Sequence, residues 1–172
     1  VTAGVGMMLM MTTGCSGADG ELLSRAESIQ EDMRDEVAAF QLNVFDGAWL
    51  VSGYGGAPER CGLDGYRLSF MRSTPLEGGW RLPHGTIRQN ADDLMKWLED
   101  NGWSGIKLRT YSDGVSSVTI EAAKASSHVE DLLVTVSMGT AHDIVDVRVT
   151  GTCEPGNQEE LRELIFPEGT IG

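Results

Sequence analysis

Residues 143–150 read Asp143-Ile144-Val145-Asp146-Val147-Arg148-Val149-Thr150. Successive side chains of a strand point to opposite sides, so Val145, Val147 and Val149 share one face and Ile144, Asp146 and Arg148 the other. One face is written for a core and the other for water, as in an antiparallel sheet covered on a single side. Toward the N-terminus the same period of two recurs over 131–137, 117–123 and 106–111. Ser112-Asp113-Gly114 and Gly139-Thr140 supply hairpin turns. The expectation is a meander of four consecutive antiparallel strands.

The period changes to near four on either side of this block. Over 21–41 the apolar residues Leu22, Ala26, Ile29, Met33, Val37 and Phe40 lie on one helical face, opposite a face dense in Glu, Asp, Arg and Gln. This predicts a long helix packed on the sheet with one side wet. A second helix is predicted after Pro83, with Thr86 or Asn90 as N-cap and Gly102 as its C-terminal stop. Ile87, Ala91, Leu94 and Leu98 form its apolar face. After the meander, Pro155 and Gly156 end the sheet. Asn157 with Glu160 makes a capping-box-like start for a short helix through about Phe166, stopped by Pro167.

Residues 43–66 are less regular. A strand is read over 48–52, followed by a long loop containing Gly53, Gly55, Gly56, Pro58, Cys61, Gly62 and Gly65. Tyr66, Leu68 and Phe70 then alternate with Arg67 and Ser69, which predicts one further strand over 66–72. The fold class is therefore α+β: an antiparallel sheet of four to six strands with a C-terminal meander, packed on one face by two helices.

The chain has 172 residues, 41% of them hydrophobic, which suits one globular domain rather than a disordered segment. Its formal net charge of −13 argues against electrostatic nucleic-acid binding, which needs clustered Lys and Arg. Anionic membrane surfaces should repel it as well, so any attachment must come from a lipid or an inserted segment. The three cysteines divide by context. Cys61 and Cys153 lie in polar, glycine-rich surroundings, as expected of one disulfide in an exported domain. Such a bridge would be structural, since the sequence has no CxxC and no histidine beside either cysteine.

Cys15 closes an apolar run over residues 1–11 through Thr12, Thr13 and Gly14. Those four residues, 12–15, resemble the lipobox of bacterial lipoproteins, a likeness that covers only residues 1 to about 20, and the general composition and short Gly/Ala/Asp spacer resemble small extracytoplasmic lipoproteins of high-GC actinobacteria. Thr12 stands where an aliphatic residue is usual. The basic start of a leader is missing, which reads as a leader trimmed at its beginning. The resemblance implies cleavage before Cys15, diacylglyceryl thioether formation on its sulfur, acylation by chains such as palmitate, and membrane attachment through that lipid at the extracytoplasmic face. The expected organisation is a signal peptide over 1–14, a lipidated cysteine and flexible spacer over 15–20, and a single domain over 21–172.

Sequence motifs do not select a catalytic centre. His84, His128 and His142 are scattered, without an HExxH or a repeated ligand spacing, and no metal or cofactor is implied. No GxSxG elbow is present. The glycines over 53–56 lack the ending of a phosphate-cradling loop and read as a tight turn. Trp80, Trp97 and Trp103, grouped around the second helix, are candidate ligand contacts, because aromatic faces stack on sugar rings or anchor protein partners. The alternative is that all three cover one rim of the core.

These observations favour a noncatalytic binding or interaction module of the cell envelope, with a glycan or an envelope protein as partner. One rival is an envelope hydrolase with dispersed residues, which a concavity holding a histidine beside a carboxylate would favour. The other is a structural or assembly lipoprotein serving an envelope complex.

Overall fold

The structure, a computed structural model, describes residues 16–45, 56–74, 78–110 and 117–167. The expected leader and Cys15, the strand over 48–52, the turn at 112–114 and the last five residues lie outside them. The described part is α+β, as read from the sequence, with three helices and two antiparallel sheets.

Helix α1 spans Ser16–Val44. It takes in residues 16–20, which the composition suggested as a spacer, because Ser, Ala and Asp are compatible with a first helical turn. Its predicted stripe is buried in full, from Leu22 at 9% exposure to Met33, Val37 and Phe40 at 0%. Helix α2, Ile87–Asp100, is capped by Thr86, whose hydroxyl accepts the Gln89 N–H at 3.3 Å. It stops at Gly102, where φ is +78°. The Trp103 N–H bonds the Leu98 carbonyl and the Gly102 N–H the Glu99 carbonyl, the paired bonds that close a helix on a left-handed glycine. Asn90 is not a cap. Buried, it donates to the carbonyls of His84 and Thr86 and accepts the His84 N–H, fixing the chain that enters α2.

Among the described residues there are eight strands, in chain order β1 Glu59–Cys61, β2 Gly65–Arg67, β3 Ser69–Ser73, β4 Ser104–Thr110, β5 Ser117–Lys124, β6 Val129–Ser137, β7 Ile144–Gly151 and β8 Glu154–Pro155. β4 to β7 form the predicted meander, and β3 adds beside β7 to give the order β3-β7-β6-β5-β4. Val145, Val147 and Val149 face the helices together with Leu132, Val134, Val136, Ile120 and Phe70, all nearly inaccessible. The other face carries Met71, Leu133, Thr135, Asp146 and Arg148 in partly or fully exposed positions.

Two expectations are corrected. The strand read over 66–72 is two strands in different sheets: its alternation persists through Tyr66, Leu68 and Phe70, but the chain changes partner at Leu68. β2 pairs with β8, whereas β3 pairs with β7. The segment around Cys61, read as loop, contains β1, which turns through Gly62 at φ +64° and pairs with β2. The resulting sheet, β1-β2-β8, has strands of three, three and two residues, too short to display a period. Helix α3, Gln158–Ile165, follows, capped by Asn157 as predicted.

Candidate functional site

The bridge between Cys61 and Cys153 joins the end of β1 to the chain between β7 and β8, with Cα atoms 5.8 Å apart and a sequence separation of 92. Gly65 passes so close that a Cβ there would stand 2.6 Å from the Cys61 carbonyl and 2.8 Å from Cys153 Sγ. The surrounding contacts are architectural.

The three histidines occupy three separate places. His128, left-handed at φ +58°, sets Nδ1 3.0 Å from Glu154 Oε1, which also accepts the Thr152 hydroxyl at 2.6 Å. The Thr152 hydroxyl and the facing His128 outweigh partial burial and hold the Glu154 carboxyl below its ordinary range. His142 lies in the β6–β7 turn. The register sets Val129 opposite Gly151 and Ser137 opposite Ile144, so His128 and His142 stand at opposite ends of that hairpin. Beside His142, the side chain of Asp143 is 3% exposed. Burial raises the Asp143 carboxyl, but the N–H groups of Leu82 and Gly139 and the Arg81 guanidinium overcome this and bring it below the ordinary carboxylate range. Asp143 thereby pins the segment that leads into α2 to the β6–β7 turn.

His84 differs in its setting. Its Nε2 stands 2.6 Å from Asp93 Oδ2, both side chains more than a third exposed. The pair borders an open concavity of about 320 Å³ between the C-terminal end of α1 and α2, lined also by Asn43, Val44, Lys96, Trp97 and Asp100. Positions 93, 96, 97 and 100 share one face of α2 through their helical spacing. Lys96 Nζ donates to Asp100 Oδ2 at 2.7 Å, and Asn43 Nδ2 donates to the Ala39 carbonyl at 2.6 Å.

Of the three candidate tryptophans, Trp97 enters this concavity. Its half-buried ring meets Phe40 edge-on, centroids 6.2 Å apart. Trp80 is half-buried against the core, and its carbonyl accepts the Asp143 N–H. Trp103 is 5% exposed and lies beneath the Lys124 ammonium, 5.8 Å from the ring centroid. A continuous exposed patch of all three therefore does not form, because closure of α2 drives Trp103 inward with Leu98.

A Ser-x-x-Lys spacing, Ser104 to Lys107, also occurs, but on β4 rather than on a helical turn, and the Ser104 hydroxyl donates to the Ala123 carbonyl. Among the described residues no group of three His, Cys, Asp or Glu side chains is arranged to hold a metal ion, and no helix is long and apolar enough to cross a membrane. What sequence reading missed is the pairing of His84 with Asp93. The available signal was the helical spacing of Asp93, Trp97 and Asp100.

The fold and site together define a disulfide-tied, two-layer α+β domain with a polar and aromatic concavity on its helical layer. Set against known proteins, the chain matches no family, no curated protein and no solved structure.

Proposed function

We propose that the chain is a lipid-anchored protein of the cell envelope whose domain is a noncatalytic binding module on the extracytoplasmic face. One observation carries the binding part. The concavity beside α2 gathers an aromatic ring, an ammonium, an imidazole and two carboxylates, and no Ser, Thr or Cys among its described lining offers a nucleophile. The lipobox-like residues 12–15 and a disulfide suited to an oxidising compartment support the anchor. The charge of −13 leaves nucleic acid out of the reading.

Two measurements test the two parts. Expressed in bacteria behind a bacterial lipoprotein leader, the protein should partition into detergent and carry a diacylglyceryl mass on Cys15, and Cys15→Ser should return it to the aqueous phase. An unmodified Cys15 thiol on native protein would overturn the anchor. The purified chain should be retained on envelope glycan or on an envelope protein, and no retention by any envelope fraction would overturn the module.

The His84–Asp93 pair specifically favours a second reading, an envelope hydrolase in which the carboxylate orients an imidazole that takes a proton from water. Product release from envelope glycan that vanishes in His84→Asn would replace the binding reading.

A further inference from the structure

We infer that the concavity beside α2 is a subsite for one ring of a neutral glycan, an inference that rests on the binding-module reading. Trp97 stands between two carboxylates, four residues after Asp93 and three before Asp100, so one aromatic surface is flanked by acceptors a helical turn away on either side. That is the arrangement a pyranose requires, with apolar C–H groups against the ring and hydroxyls at the edge.

The hydrogen bonds and charges of the lining together select the ligand. Asp93 directs Oδ2 at His84, Asp100 Oδ2 accepts from Lys96, and one of the two Asn43 amide N–H groups is spent on Ala39. Among the described residues no hydrogen bond ends on Asp93 Oδ1, Asp100 Oδ1 or Asn43 Oδ1, while the Lys96 ammonium and the Asn43 amide keep further N–H donors, so acceptors and donors stand side by side. Hydroxyls, which both donate and accept, match such a set. A phosphate or uronate would instead bring its charge against the Asp93 and Asp100 carboxylates, in the field of a chain of charge −13. The volume, about 320 Å³, stands at the small end of the roughly 300–1,000 Å³ spanned by ligand sites, which fits one ring with its neighbours outside. The ring of Trp97 is held in advance by Phe40, so little side-chain ordering accompanies binding.

Titration of the full chain with three tetrasaccharides tests this, using a neutral mannose oligomer, a neutral N-acetylglucosamine oligomer and a uronic-acid oligomer, read by NMR shifts of the α2 amides. A neutral oligomer should give a saturable response centred on residues 93–100, and the uronic-acid oligomer none. Trp97→Ala should weaken binding about tenfold or more, as expected of a buried aromatic anchor. Because that variant removes a contact to Phe40, Asp100→Ala, on the exposed side of α2, serves as the second probe and should weaken binding while leaving the thermal midpoint in place. Trp80→Phe should bind as the wild type does. Preference for the uronic-acid oligomer, no response to either neutral oligomer, or neutral binding indifferent to both Trp97→Ala and Asp100→Ala would overturn the subsite. Retention of the chain on native envelope glycan that survives both substitutions overturns this inference alone and leaves the module standing; loss of all retention by the wild type overturns both.

Discussion

The two sheets of this molecule are held by different forces. In the five-stranded sheet, strands of five to nine residues send Leu132, Val134, Val136, Val145 and Val149 into a common core with α1 and α2, and each of these side chains is fully buried. In the three-stranded sheet no strand exceeds three residues, Glu59 and Arg60 are exposed, and the pairing is reinforced by the Cys61–Cys153 bond. Apolar anchors that tie it to the main core include Tyr66 and, on the adjoining α3, Leu161, both at 0% exposure. The larger region is organised by apolar burial, which is cooperative over many residues. The smaller one depends on a covalent tie and a few anchors, because three-residue strands bury too little surface to stand alone. The concavity beside α2 belongs to the larger region.

The largest expected effect concerns the covalent tie. Replacing Cys61 and Cys153 together by serine should lower the unfolding free energy, measured in urea, by about 4 to 5 kcal/mol, since the bridge closes a loop of some 90 residues in the unfolded chain. A change near zero would mean that the small sheet holds itself.

Next comes a single truncation in the larger region. Leu132→Ala, at a fully buried site on the central strand β6, should cost about 2 to 5 kcal/mol through lost burial and the cavity left behind. Leu63→Ala, next to the small sheet and 83% exposed, should stay within about 0.5 kcal/mol. Comparable costs at both sites would erase the contrast.

Acid stability sharpens it further. The Asp143 carboxyl, in the larger region, and the Glu154 carboxyl, in the smaller, are both held below their ordinary values. Each therefore contributes stability that is present above its unfolded pKa, about 4, and is lost as pH falls through the lower folded value. Asp143→Asn should flatten this acid dependence and cost about 1 to 3 kcal/mol at neutral pH, because the buried side chain gives up its charge toward half-exposed Arg81 and one of the two acceptor oxygens that take the Leu82 and Gly139 N–H groups. Glu154→Gln should flatten it less, its side chain being more accessible than that of Asp143. Unfolding curves from pH 2 to 7 read both, and a wild-type dependence unaltered by Asp143→Asn would contradict the assignment.

The smallest effects concern helix caps. Asn157→Ala at α3 and Thr86→Ala at α2 should each cost about 1 kcal/mol, visible as a reduced thermal midpoint.

How far the sequence speaks follows the same division. The stripe from Leu22 to Phe40, the alternation of Val145, Val147 and Val149, the stop at Gly102 and the cap at Asn157 all act locally, and each was readable. The small sheet was not, because Glu59-Arg60-Cys61 is too short to show a period and the strand on the other side of β2, Glu154-Pro155, is distant in the chain. Nor did the alternation through Tyr66, Leu68 and Phe70 reveal that the backbone leaves one sheet for another, since the inward face is the same in both. At the site, Trp97 was visible as a candidate. Its neighbours were not, because Asn43 arrives from the end of α1 and His84 is turned toward Asp93 by the buried clamp of Asn90.

Hydrogen exchange of the intact chain before and after reduction of the disulfide tests the division most directly. Two classes of amide are expected in the reduced protein: those of β1 and β2 should exchange rapidly, while those of β5, β6 and β7 remain the slowest in the molecule. A single common exchange rate for both sheets after reduction would show one cooperative unit and contradict the account.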